Sequence, residues 1–122
     1  MFKIKFYQDR NGKEPVKEYI DELAHHKDKD SRIKYQKIRD YINYLSERGN
    51  QAKEPFAKHL DGEIWELRPL RDRILYAVWD GGSFLLIHHF MKQTHKTPRR
   101  EIEQAIRNLA DYRERSKRHE ND

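Results

Sequence analysis

The chain contains no cysteine, so neither a disulfide framework nor a thiolate metal site can be built into it. It has no apolar run approaching the roughly 18 residues needed to cross a membrane. Its first residues, Met1-Phe2-Lys3-Ile4-Lys5-Phe6, alternate charge with hydrophobe and lack the unbroken apolar stretch of a signal peptide. Internal repeats, low-complexity tracts and linkers are also missing. Together these absences lead to the expectation of a cytoplasmic protein with no membrane partner. One further shortage is local: residues 81–100 include no acidic side chain, although charges of both signs are interspersed almost everywhere else.

What is present fits one domain over residues 1–122, large enough for a modest core without metals or disulfides. Charged residues make up 39% and hydrophobic ones 35%, against about 25% charged in an average globular protein. The core is therefore small and the surface densely ionised. The apolar residues nevertheless come in periodic blocks, which argues against disorder. A formal net charge of +5 favours polyanionic partners such as nucleic acid.

Phe2, Ile4 and Phe6 recur with the period of two of a half-buried strand. Asn11-Gly12 marks a turn. Pro15 suits the first turn of a helix that Val16, Tyr19, Ile20 and Leu23 continue. After a polar connector from His25 to Asp30, Ser31 is the expected N-cap of a second helix with Ile33, Ile38, Tyr41, Ile42 and Leu45 on its core face, ended by Gly49. Residues 50–62, with Pro55 in their middle, read as an irregular connection.

Three strand-like runs follow, Ile64–Leu67, Ile74–Trp79 and Phe84–Met91, joined by connections short enough for an antiparallel meander. Thr97-Pro98 predicts an N-cap and first turn for a last helix carrying Ile102, Ala105, Ile106, Leu109 and Tyr112. From about 113 the chain has no hydrophobe and reads as frayed helix or polar tail. The expected class is α+β, an antiparallel twisted sheet in the order β-α-α-β-β-β-α packed on helices, with one sheet face free to carry function.

All three runs meet basic side chains at one end. Arg68 closes the first, Arg71 and Arg73 precede the second, and Lys92, His95, Lys96, Arg99 and Arg100 follow the third. A meander necessarily gathers Arg68, Arg71 and Arg73, and sequential strand order brings Lys92 to them. Such a cluster can hold a phosphodiester and stabilise the extra charge of its pentacovalent transition state. Neighbouring cations also disfavour a protonated lysine, which suits Lys92 or Lys96 to proton transfer. RNA supplies its own nucleophile, the 2′-hydroxyl, so this set of Arg, Lys and His calls for no cofactor or metal. His25-His26 is rejected as a metal pair, since adjacent residues project apart and no third ligand is near.

The segments Trp65-Glu66-Leu67-Arg68-Pro69, Arg73-Ile74-Leu75-Tyr76 and His88-His89-Phe90-Met91-Lys92-Gln93-Thr94-His95-Lys96-Thr97-Pro98 resemble the HigB-type, phage-derived branch of the RelE/ParE toxin superfamily. The resemblance implies a compact RelE-like domain and a type II toxin that cleaves messenger RNA on the translating ribosome. It also implies a cognate HigA-like helix-turn-helix antitoxin, in a toxin–antitoxin complex of higher order. Arg73 matches the superfamily's functional arginine at the start of the penultimate strand, and Arg68 the basic residue ending the strand before it. Lys92 and Lys96 match basic positions after the last strand. His89 and Gln93 depart from the pattern, standing where a small residue and a second lysine are common.

The expected catalytic set is thus Arg73, Arg68, Lys92, Lys96, His88 and His95, with Arg71, Lys58, Arg99 and Arg100 binding RNA. Each has a plainer reading: Arg73 as a solvated strand-start arginine, the lysines as surface charge, one of His88 and His89 as a packed strand histidine. Glu54 is a further possible base, otherwise a surface charge. Trp65, Tyr76 and Trp79 read as core ahead of base-stacking platforms. Two other functions suit the same pattern, a ParE-like DNA gyrase inhibitor and a non-catalytic RNA- or protein-binding module.

Overall fold

A computed structural model describes residues 1–120. The elements are β1 (Lys3–Phe6), α1 (Pro15–His25), α2 (Lys29–Arg48), a 3-10 turn (Gly49–Gln51), β2 (Ala57–Asp61), β3 (Ile64–Leu67), β4 (Asp72–Asp80), β5 (Ser83–Met91) and α3 (Arg99–Glu120). The class is α+β as expected, but the sheet has five strands, in the order β1-β5-β4-β3-β2. The added strand, β2, lies within the stretch read as irregular. The sheet is also mixed, because β1 pairs with β5 in parallel while the other pairings are antiparallel.

Neither face of the sheet is free. Val16, Ile20 and Leu23 of α1 and Ile38 and Leu45 of α2 pack with Leu67, Ile74 and Leu86 on one side. Ala105 and Leu109 of α3 pack with Ile64, Leu75, Leu85 and Ile87 on the other. Burial on both faces is why β4 and β5 read as near-continuous apolar runs. Function is thereby displaced from an open face to the end of the sheet, where β3 stops, β4 starts and β5 stops.

Two boundaries and two core assignments differ from the sequence reading. Asp28 caps α2, its carboxylate accepting from Ser31 N at 3.0 Å, so Ser31 is already inside the helix. Ile33 and Ile106 share the helical spacing of core residues yet are 44% and 40% exposed. Beyond Tyr112, α3 continues to Glu120, supported by Arg113 on Glu63 at 2.5 Å and Arg115 on Asp111 at 3.0 Å. Gly49 does end α2, with φ of 56°, and a Cβ there would lie 2.2 Å from the Phe2 ring. Both facts require glycine, and Phe2 N donating to Ser46 O at 2.8 Å completes the tie between β1 and α2.

Candidate functional site

A cleft of about 250 Å³ opens at this end of the sheet, between β4, the 92–98 loop and the start of α3. Arg73, Lys92, Lys96, Arg100 and His95 line it together with Glu66 and Glu101. The cations come from three places that the fold joins: the first rungs of β4, the end of β5, and the turn into α3. In the β4–β5 register Arg73 stands opposite Phe90, which places Lys92 just beyond the sheet, with its N–H donating to Arg71 O at 2.7 Å.

Arg73 is not a solvated strand-start arginine. It is 6% exposed, and its Nη1 donates to Leu70 O at 2.8 Å and Asp72 O at 2.9 Å. Its Nε lies 3.8 Å from Glu66 Oε1. Burial pushes the guanidinium's pKa down and the Glu66 charge opposes that shift. Arg68 approaches the same carboxylate, Nε to Oε1 at 3.5 Å, but that Nε is buried without a hydrogen-bond acceptor.

Glu66 is therefore the hub of the cluster, and the sequence reading gave it no role. Only 2% exposed, it joins both arginines and accepts a hydrogen bond from Thr97 Oγ1. Thr97 consequently fastens the 92–98 loop to β3 and does not act as the side-chain N-cap expected of it. The sequence signal was slight: an acidic residue inside the buried strand Ile64–Leu67, whose neighbours are all apolar. The cleft is thus mixed in charge even though residues 81–100 are not.

The two strand histidines diverge as expected. His88 points to the α3 side and meets Glu101, Nε2 to Oε1 at 2.9 Å, so it reaches the cleft only through that carboxylate. His89 points to the α1–α2 side, stacks on Tyr19 with ring centroids 3.8 Å apart, and reaches Asp72 Oδ1 at 3.0 Å. Asp72 is 1% exposed and also accepts from Tyr19 OH at 2.8 Å, with Lys34 Nζ 3.8 Å away. Its burial, the largest single influence, pushes the carboxyl up, but His89, Tyr19 and Lys34 together outweigh it and hold the pKa below the ordinary value.

The remaining expected residues are scattered. Arg71 is exposed at the rim and donates from Nη2 to Lys92 O at 3.2 Å. Lys58, on β2, stands opposite Glu66 in the register but does not line the cleft. Arg99 faces away, paired with Asp61 at 2.5 Å and Glu103 at 3.4 Å. Glu54 is exposed and outside the cleft. Tyr76 is core at 2% exposed, while Trp65 and Trp79 pack against the two core clusters.

A mixed sheet held between helices, with a basic cleft at its end, is consistent with the RelE-like fold. Residues 13–110 match the family described as phage derived protein Gp49-like (DUF891), and the chain belongs to that RelE/toxin-like family. Among curated proteins no sequence matches it. Among the described residues no helix is long and apolar enough to cross a membrane.

Proposed function

We propose that this protein is the toxin of a type II toxin–antitoxin pair, an mRNA endoribonuclease of the HigB type that acts on the ribosome without a metal. The observation that carries the reading is the cleft itself. A buried Arg73, braced from behind by two carbonyls and Glu66, shares it with Lys92, Lys96, Arg100 and His95. Pre-oriented cations of this kind stabilise a phosphorane without reorganising as charge develops.

In the proposed reaction the 2′-oxygen attacks the adjacent phosphorus in line, and its proton passes to a base among Lys92, Lys96 and His95. The P–O5′ bond breaks as a second ammonium or imidazolium protonates the leaving oxygen. The products are a 2′,3′-cyclic phosphate and a 5′-hydroxyl. Arg73 and Arg68 bind the non-bridging oxygens, Lys92 and Lys96 serve proton transfer, and His88 acts only by orienting Glu101. A helix-turn-helix antitoxin of the HigA type is the proposed partner.

Induced expression with cleavage mapping of a defined transcript on ribosomes tests this. Growth arrest with cuts ending in cyclic phosphate, persisting under chelation once ribosome integrity is controlled, is the expected result. A 5′-phosphate product overturns the mechanism. Gyrase poisoning without RNA cleavage replaces the reading with the ParE-like one, and no growth arrest leaves a binding module.

A further inference from the structure

The cleft does not end at Lys92. A shallower depression of about 340 Å³ shares Lys92 and His95 with it and passes over Leu70 and Arg71. A third, of about 250 Å³, shares Leu70 and Arg71 with the second and ends against Ile33 and Lys34 of α2. The three depressions lie side by side, each sharing wall residues with the next, from the start of α3, across the β3–β4 turn, to the first turns of α2.

Its composition is unusual for this surface. Among the described residues, six large hydrophobic side chains are strongly exposed, and three of them, Ile33, Leu70 and Met91, lie together here. Leu70 is 49% exposed and held at φ of 56°, a conformation that disfavours a branched side chain and that glycine adopts freely. The turn alone thus gives no reason for leucine. Arg73 Nη1 bonds the Leu70 carbonyl, so the residue that lines the cleft also fixes this exposed side chain. Lys92 and Arg71 follow one another along this surface, while Lys34 at its far end is turned to the buried Asp72, Nζ to Oδ1 at 3.8 Å. Asp72 lies beneath it with its charge engaged by His89, Tyr19 and Lys34, leaving Asp30 as the acidic group at the far end.

We infer that this surface is a subsite for the nucleotides flanking the scissile phosphate. Single-stranded RNA leaving the cleft would cross Leu70 and Arg71 and end on Ile33, with bases on Leu70, Met91 and Ile33 and phosphates on Lys92 and Arg71. The inference rests on the reading of the chain as an RNA endonuclease. Single-stranded RNA is favoured over a protein segment because the depressions adjoin the cleft and alternate apolar side chains with Lys92 and Arg71, since every base presents an apolar face and every linkage a negative charge.

The test uses RNA made uncleavable by 2′-deoxy substitution, in a short form that fills only the cleft and in forms extended by a few nucleotides to either side. Binding is measured to the wild type and to Ile33→Ser/Leu70→Gly, in which the serine is exposed and the glycine relieves the positive φ. Extension on one side is expected to tighten wild-type binding about tenfold, as for roughly 60 Å² of apolar surface removed from water. The double variant should bind the short form unchanged and lose that gain. A gain equal in both proteins, or none on either side, overturns the subsite. Parallel cleavage of ribosome-bound transcript by the wild type separates the failures: cleavage without the gain removes the subsite alone, and no cleavage removes the endonuclease reading with it. If the variant instead keeps the RNA gain but loses binding of a polyglutamate peptide, the patch is a protein-docking surface and the inference is wrong.

Discussion

Arg73 and Glu66 lie on neighbouring strands with Nε and Oε1 3.8 Å apart, and both side chains are more than nine-tenths buried. A buried pair of this kind adds little net stability over an apolar one, yet breaking it strands a charge in low dielectric. Arg68 and Thr97 share the same carboxylate, so the pair fixes the end of β3, the start of β4 and the 92–98 loop together. Three walls of the cleft are thereby tied to one buried carboxylate.

Arg73→Ala is expected to abolish cleavage and also to weaken the fold. Loss of an oriented cation at a developing phosphorane corresponds to roughly 100- to 1,000-fold in rate. The carbonyls of Leu70 and Asp72 lose their donor and Glu66 loses a partner, a destabilisation of about 2–4 kcal/mol. Arg73→Lys keeps the charge but not the planar fork, so it should recover part of the stability and little of the rate. Chemical denaturation beside single-turnover cleavage checks both; a fully active, folded Arg73→Ala removes the site.

Glu66→Gln separates orientation from attraction. The amide still accepts from Thr97 but no longer draws Arg68 and Arg73 inward, while the cleft gains positive charge. Turnover should fall about tenfold or more while RNA binding stays equal or tightens. Parallel weakening of binding and turnover would mean that Glu66 only holds the fold together.

Much of this was legible in the chain. Period-two and period-3.6 patterns locate β1, α1, α2, the three-strand meander and α3, because each buries an apolar face at local spacing. β2 escaped because it is an edge strand: Ala57, Lys58, His59, Leu60 and Asp61 need satisfy only one neighbour and show no clean alternation. The parallel pairing of β1 with β5 joins residues some eighty positions apart, which no local pattern reports. The approach of Lys92 to Arg73 followed from strand connectivity; the same reasoning gathered Arg68 and Arg71 with Arg73, but neither of those two lines the cleft. The burial of Arg73 and Glu66 did not follow from connectivity, since ionised groups carry no periodic sign of whether water reaches them. Ile33 was misplaced because its helical spacing is that of a core residue, while its position near the start of α2 leaves it 44% exposed.

Asp72→Asn should cost stability at neutral pH and progressively less in acid. Folding lowers the Asp72 carboxyl pKa. Its contribution is therefore complete above the unfolded value of about 3.9 and is lost as pH falls through the lower folded value. The neutral-pH difference should be about 1–3 kcal/mol, the magnitude for a charge-assisted buried hydrogen-bond group. Denaturation midpoints of the two proteins should converge as pH drops below about 4. A gap that is constant from neutral to strongly acid pH would show that the carboxylate's charge plays no part in holding α1, through Tyr19, to the start of β4.

Lys92→Gln with Lys96→Gln addresses contact with the RNA backbone. Both lysines line the cleft, and among the described residues neither is paired with a carboxylate, so each is available to a phosphate. Neutralising one phosphate of a single strand contributes about −0.7 to the slope of log affinity against log salt. The double variant should flatten the slope by up to about 1.4, and each single variant by about half of that. Arg99→Gln, whose side chain is engaged with Asp61 and Glu103 away from the cleft, should leave the slope unchanged. If the lysine variants fold and bind with an unaltered slope, these two residues do not touch the backbone, and the anionic ligand is held by the arginines, Arg73 and Arg68 foremost.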